Sequence, residues 1–101
     1  MAYEMLVGLK IKEPAQYQAY REAMYPILLK YGGGFKYDFW IKETLKSVTS
    51  APIDRVFTIY FKDKSSMEQF FSNQDYLRAK KKYFESSVEA TTILSAYETH
   101  E

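Results

Sequence analysis

Cysteine is absent, so disulfides, thiolate nucleophiles, iron–sulfur clusters and cysteine zinc sites are all excluded. Histidine occurs once, as His100, beside the end of the chain where ordering is not expected, which makes it a poor general base. Without His or Cys partners the scattered carboxylates offer little to a transition metal, and neither metal nor cofactor is expected. An excess of one charge is missing too. Lys+Arg number 14 against 13 Asp+Glu, a net +1, so no global field draws the chain toward nucleic acid or anionic membrane. No apolar run approaches the ~20 residues of a membrane-spanning helix. No basic segment leads from Met1 into a long apolar one, so no signal peptide is expected and a cytoplasmic location is the default.

Aromatic residues are plentiful: they make up 18% of the chain, with ten Tyr and seven Phe. A length of 101 residues suits one compact domain over 1–101. From Met5 to Ile11, Met5, Val7, Leu9 and Ile11 alternate with Leu6, Gly8 and Lys10, the period of a strand. Pro14 then suits the first turn of a helix whose stripe is Tyr17, Tyr20, Met24, Ile27, Leu28 and Tyr31. Pro26 predicts a bend in that helix rather than a break, and Gly32-Gly33-Gly34 ends it.

The second strand is read over Phe35 to Lys42. Phe35, Tyr37, Phe39 and Ile41 lie on one face, and Lys36, Asp38, Trp40 and Lys42 on the other. Leu45 to Asp54 is a polar, proline-broken hairpin loop. Arg55 to Lys62 is apolar nearly all round, as a central strand is. Ser65 with Glu68, and Ser72 with Asp75, each have capping-box spacing, so the second crossover reads as two short helices jointed near Asn73. Thr91 to Glu98 is the last strand, and Thr99 to Glu101 should fray.

Strand–helix–strand, hairpin, strand–helix–strand predicts an α+β, ferredoxin-like βαββαβ fold, a four-stranded antiparallel sheet with helices on one face. Leu6, Tyr37, Trp40 and Tyr60 leave apolar mass that the helices do not cover. Burial of one large aromatic is worth roughly 1.5–3 kcal/mol, so a second copy of the chain, docked through the sheet, is the expected partner.

Residues Ala15 to Tyr20 leading to Pro26-Ile27-Leu28, Lys30-Tyr31-Gly32-Gly33, Arg55-Val56 to Phe61, Ser65 to Phe71 and Ser72 to Tyr76 carry a resemblance. Over roughly residues 3 to 98 the chain resembles the family called domain of unknown function 1330, within the dimeric alpha-beta barrel superfamily. The resemblance implies homodimers in which two four-stranded sheets face each other as a barrel. It implies no established reaction. The superfamily includes cofactor-independent monooxygenases, isomerases and dehalogenating enzymes, which implies a small apolar or aromatic ligand. Family members often carry an arginine and a glycine where this chain has Phe35, Lys36 and Tyr37, and a shorter loop than Glu43 to Asp54, so a family pocket would be reshaped here.

Asp38, between Tyr37 and Phe39 and on a face with Trp40, is the candidate catalytic acid or base. The competing reading, which the sequence favours, is an ion pair with Lys36, Lys42 or Arg55. Glu43 and Asp54 read as solvated loop charges. Tyr17, Tyr20, Tyr37, Trp40 and Tyr60 are the candidate ligand-binding residues, against the plainer alternative that they are core. The Arg78 to Lys82 cluster reads as a solvated basic face rather than an anion site.

The same element order serves RNA-binding modules, and Arg55 to Phe61 loosely has their third-strand signature. Val56 and Thr58 stand where small residues belong, and the first strand lacks its stacking aromatic, so nucleic acid ranks below a small molecule. The expected function is therefore binding of a small apolar or aromatic metabolite by a homodimer. Cofactor-independent oxygenation or isomerisation of an aromatic or lactone-like compound is the enzymatic alternative.

Overall fold

The computed structural model describes residues 1–100. β1 (Tyr3–Ile11), α1 (Pro14–Lys30), β2 (Gly34–Trp40) and β3 (Arg55–Phe61) are followed by α2 (Lys64–Ser72) and α3 (Gln74–Ala79). A π-helical segment (Lys80–Phe84) and one last turn, α4 (Glu85–Ser87), lead into β4 (Val88–Glu98). The sheet order is β2-β3-β1-β4 with every neighbouring pair antiparallel, the ferredoxin-like α+β arrangement that the element order implies. No helix among the described residues is long and apolar enough to cross a membrane.

Pro14 occupies the first turn of α1, and Tyr17, Tyr20, Met24 and Leu28 form its buried stripe. The helix runs on through Pro26 to Lys30. It ends because Gly32 takes φ +70°, a left-handed conformation that costs glycine nothing. Gly33 N–H then reaches Leu28 O at 3.0 Å and Gly32 N–H reaches Leu29 O at 3.1 Å, satisfying two carbonyls that the helix leaves free. The α1 stripe lies on Val7, Leu9 and Ile11 of β1 and Phe57, Ile59 and Phe61 of β3, with Phe70 and Tyr76 closing the core from the second crossover.

Several expectations need correction. Neither capping box forms. Asp63, not Ser65, caps α2, its Oδ1 accepting from Ser66 N–H at 2.7 Å, because a carboxylate at a helix N-terminus also meets the positive end of the dipole. The Ser72 hydroxyl instead donates back to Glu68 O at 2.9 Å, and Asn73 at the joint caps α3 by accepting from Tyr76 N–H at 2.9 Å. β4 starts at Val88, three residues before Thr91, and Thr99 does not fray: its N–H continues the ladder to Ala2 O at 2.8 Å. Glu101 lies outside the described residues.

β2 stops at Trp40, and its strict alternation fails at Lys36. Phe35 pairs with Ile59 and Tyr37 with Thr58, so Lys36 is an extra residue, a bulge that puts Lys36 and Tyr37 on the same face. Phe35, Asp38 and Trp40 therefore share the helix face, while Tyr37 and Phe39 share the open face with Leu6, Val56 and Tyr60. Asp54 is not a solvated loop charge either. Its Oδ1 accepts from Ile11 N–H at 3.0 Å and its Oδ2 pairs with Lys10 at 3.2 Å, pinning the end of the hairpin loop to β1. The same loop lays Ile53 over Gly8, where an added Cβ would stand 2.9 Å from Ile53 Cδ1.

Candidate functional site

Between α1, the second crossover and the helix face of the sheet lies a cavity of about 260 Å³. Val7 and Leu9 of β1 with Phe57 and Ile59 of β3 form its floor, and Tyr17, Tyr20 and Met24 of α1 stand over them. Alternation in the two central strands supplies the floor, and the three- and four-residue spacing in α1 supplies the wall. Tyr76 and Phe84 close the far side, the Phe84 ring meeting Tyr20 edge-on at 4.9 Å between centroids. Two cations, Arg21 and Lys80, reach this apolar lining, and among the described residues no Asp or Glu does.

Polar groups inside are few and placed. Tyr20 Oη and Tyr76 Oη lie 2.9 Å apart, both buried. Burial pushes the Tyr20 phenol well above its usual value, and the Tyr76 hydroxyl adds to the shift; burial raises Tyr76 as well. Both are neutral at pH 7. Only one of the two can donate into their mutual bond, and they make no other hydrogen bond with the described residues, so one O–H is left to donate elsewhere. Tyr17 Oη accepts from Arg21 Nε at 2.7 Å, and burial outweighs that cation in raising the Tyr17 phenol.

Asp38 stands at the rim rather than in the cavity. Its carboxylate accepts from Arg55 Nε and Nη2 at 2.7 and 2.8 Å and from Arg21 Nη1 at 3.1 Å. Desolvation would raise this carboxyl, but the Arg55 hydrogen bonds and the two guanidinium charges overcome it and hold it below the usual range. The ion-pair reading therefore describes Asp38, with Arg21 of α1 joining Arg55. Lys36 instead pairs with Glu4, which also accepts from Tyr97 Oη at 3.0 Å. The Arg21 guanidinium carbon sits 4.1 Å from the centre of the Phe35 ring and 4.6 Å from that of Phe57, and Arg55 lies 4.6 Å over Trp40. The pair of arginines thus ties α1 to the sheet beside the cavity.

The residues singled out from sequence separate into three places. Tyr17 and Tyr20 line the cavity; Asp38 and Trp40 belong to the arginine cluster at its rim; Tyr37 and Tyr60 lie on the opposite, open face. Glu43 is exposed, as is His100. Arg21, Tyr76, Lys80 and Phe84 were missed as site residues, though Tyr76, Lys80 and Phe84 recur every four residues and Arg21 follows Tyr17 by four. The basic cluster is not one face. Arg78 pairs with Asp75, Lys81 and Lys82 are exposed, and Lys80 alone lines the cavity. It opens the π-helical segment, in which Glu85 N–H bonds Lys80 O, and such widened turns recur at functional sites. Among the described residues no three of Asp, Glu or His gather as a metal ion would require.

A model of the family described as domain of unknown function (DUF1330) matches residues 2–97. No curated protein matches the chain. Among solved structures, a protein of unknown function from Rhodopseudomonas palustris is similar at a TM-score of 0.83 and 15% identity, over 99% of this chain and 83% of that one. A dimeric protein of unknown function and ferredoxin-like fold from Bacteroides fragilis gives 0.66 and 10%, over 97% and 96%. SnoaB, a cofactor-independent oxygenase from Streptomyces nogalater, gives 0.61 and 11%, over 98% and 96%. Identities this low carry the fold and leave activity to be argued from the site.

Proposed function

The chain belongs to the family described as domain of unknown function (DUF1330), and from that premise we propose a homodimeric alpha-beta barrel protein that holds a small apolar or aromatic metabolite between helices and sheet. The described residues act as one domain, and the sheet's open face receives the second copy. The observation that carries this reading is the cavity itself. Interiors of small domains are close-packed, and about 260 Å³ of apolar space with an unused phenol O–H on its wall is what a ligand site needs rather than what a core tolerates. Dimerisation draws support from Tyr37 and Phe39, both more than half exposed on the open face, and from the dimeric neighbour of the same fold.

Calorimetric titration of the full chain with two-ring aromatic compounds tests the ligand site. Binding is expected for the native chain and loss of it for Thr91→Trp, which fills the rim from an exposed position of β4. Unchanged binding by a folded Thr91→Trp variant would place the ligand elsewhere.

A second reading, cofactor-independent oxygenation or isomerisation of an aromatic or lactone-like compound, is favoured by the oxygenase of the same fold and by the phenol pair in the cavity. Asp38 is a poor base for it, held by two arginines and absent from the lining. A substrate would have to enter already ionised, or lose its proton to solvent. Oxygen uptake on adding an electron-rich phenol, abolished by Tyr76→Phe, is the expected sign of that chemistry.

A further inference from the structure

We infer that the cavity selects a monoanion, a compact one- or two-ring carboxylate whose charged end meets Lys80 and whose rings lie on the apolar floor. This rests on the cavity being the ligand site and goes further by naming the class of ligand.

The charge balance of the lining leads there. Arg21 and Lys80 line the cavity, and among the described residues no acid does. Arg21 is already engaged, because it reaches, at 3.1 Å, the Asp38 carboxylate that it shares with Arg55, and its Nε donates to Tyr17 Oη at 2.7 Å. Lys80 has no ion pair among the described residues, and the residue is half-buried beside the apolar walls it lines. A carboxylate supplies what is missing. Lys80 is the lining cation without an acid partner among the described residues, which calls for a single carboxylate on the ligand, and an amine or a zwitterion would bring a cation that nothing in the lining answers.

The phenol pair agrees with this assignment. Its one remaining O–H can donate but the pair is not ionised at neutral pH, so it suits an acceptor such as a carboxylate oxygen. The floor of Val7, Leu9, Phe57 and Ile59 has nothing to bond, which limits the rest of the ligand to an apolar body. A volume of about 260 Å³ lies just under the roughly 300–1,000 Å³ of sites for drug-sized ligands and so suits one or two rings.

The test is isothermal titration of the full chain at pH 7 with 2-naphthoate, its neutral isostere 2-naphthamide and the cation 2-naphthylmethylamine. Naphthoate is expected to bind at least about tenfold more tightly than the amide, with the amine weakest, a preference typical of one charge-assisted contact. Lys80→Met should level naphthoate and amide while both still bind, and Lys80→Arg should restore the preference. Lys81→Met, an exposed neighbour, should leave the ratio unchanged. Equal binding of naphthoate and amide by the native chain, or an undiminished preference in Lys80→Met, overturns the assignment of charge selectivity and leaves the cavity as a ligand site. Binding of none of the three overturns that reading as well.

Discussion

Replacing Tyr37 with Lys should split the proposed dimer, and the size of the effect follows from how much of the ring is uncovered. Tyr37 is 62% exposed on the open face, stacked only on Phe39 at 6.0 Å between ring centres. An aromatic ring of about 150–250 Å² leaves roughly 120 Å² there to cover. At about 25 cal/mol per Å² this is about 3 kcal/mol per copy. Two-fold symmetry counts it twice, about 6 kcal/mol. Ordering of the side chains on association takes back about 1 kcal/mol on each side, leaving about 4 kcal/mol, or close to a thousandfold in dissociation constant. Tyr37 is a better probe than Tyr60, whose ring is half-buried against Gly34 and Lys36 of its own sheet, so that a lysine there would also disturb the subunit. Light scattering coupled to size exclusion over a dilution series is the assay. The native chain should remain dimeric into the low micromolar range where Tyr37→Lys is monomeric, with thermal unfolding of the isolated subunit little altered. A native chain that is monomeric throughout would refute the reasoning, and single-stranded nucleic acid would become the first ligand to try on the uncovered aromatic face.

Asp38→Asn should lower stability by about 1–2 kcal/mol at neutral pH, since it removes a charge-assisted acceptor from two guanidinium groups in a partly exposed site. The folded carboxyl lies below its unfolded value, so its contribution is complete above about pH 4–5 and is lost as pH falls through the folded value; denaturant midpoints at pH 3 and pH 7 should differ less for the variant than for the native chain. Gly32→Ala should cost about 1–2 kcal/mol, because φ +70° puts the new methyl against its own carbonyl and within 3.1 Å of Lys62 Cβ, and a melting temperature unchanged within a degree would contradict the cap described for α1. The Tyr20 phenol has its folded value raised, so its contribution is complete below the unfolded value near 10 and is lost as pH rises beyond it; native stability should fall from about pH 10 upward, and Tyr20→Phe should fall less steeply there.

Patterns that depend on one element at a time could be read from the chain, and those that depend on two could not. Alternation in β1 and β3, the stripe of α1 and the glycine stop after Tyr31 are each set by local geometry and local burial, and they appear where the sequence puts them. The bulge at Lys36 is a property of how β2 registers on β3, invisible in a run that alternates aromatic and polar residues without a flaw. Its consequence is large, because it turns Phe35 to the helix face and Tyr37 to the open one. The candidate site was accordingly half legible. Tyr17 and Tyr20 belong to a stripe and were found, whereas Tyr37 and Tyr60 were grouped with them by composition and lie on the far side of the sheet. Lys80 was hidden among neighbouring cations, and only the four-residue spacing from Tyr76 to Lys80 to Phe84 sets it apart.

The bulge also links the cavity to the open face. By moving Phe35 against Arg21, it places an aromatic ring 4.1 Å under the guanidinium that Asp38 and Tyr17 hold from the sides. By leaving Lys36 on the open face, it gives Glu4 a cation there, and Glu4 is buried although Tyr37 and Phe39 on the same face are not. A buried acid with its own lysine and tyrosine is a polar centre already satisfied within one subunit, so a second copy can cover it without leaving an unpaired charge. One inserted residue therefore acts on both faces of the sheet: it sets Phe35 beneath Arg21 on the helix face and leaves Lys36 beside Glu4 on the open one. Shortening β2 by deleting Lys36 should for that reason impair ligand binding and association together, whereas Thr91→Trp should impair the first alone and Tyr37→Lys the second alone.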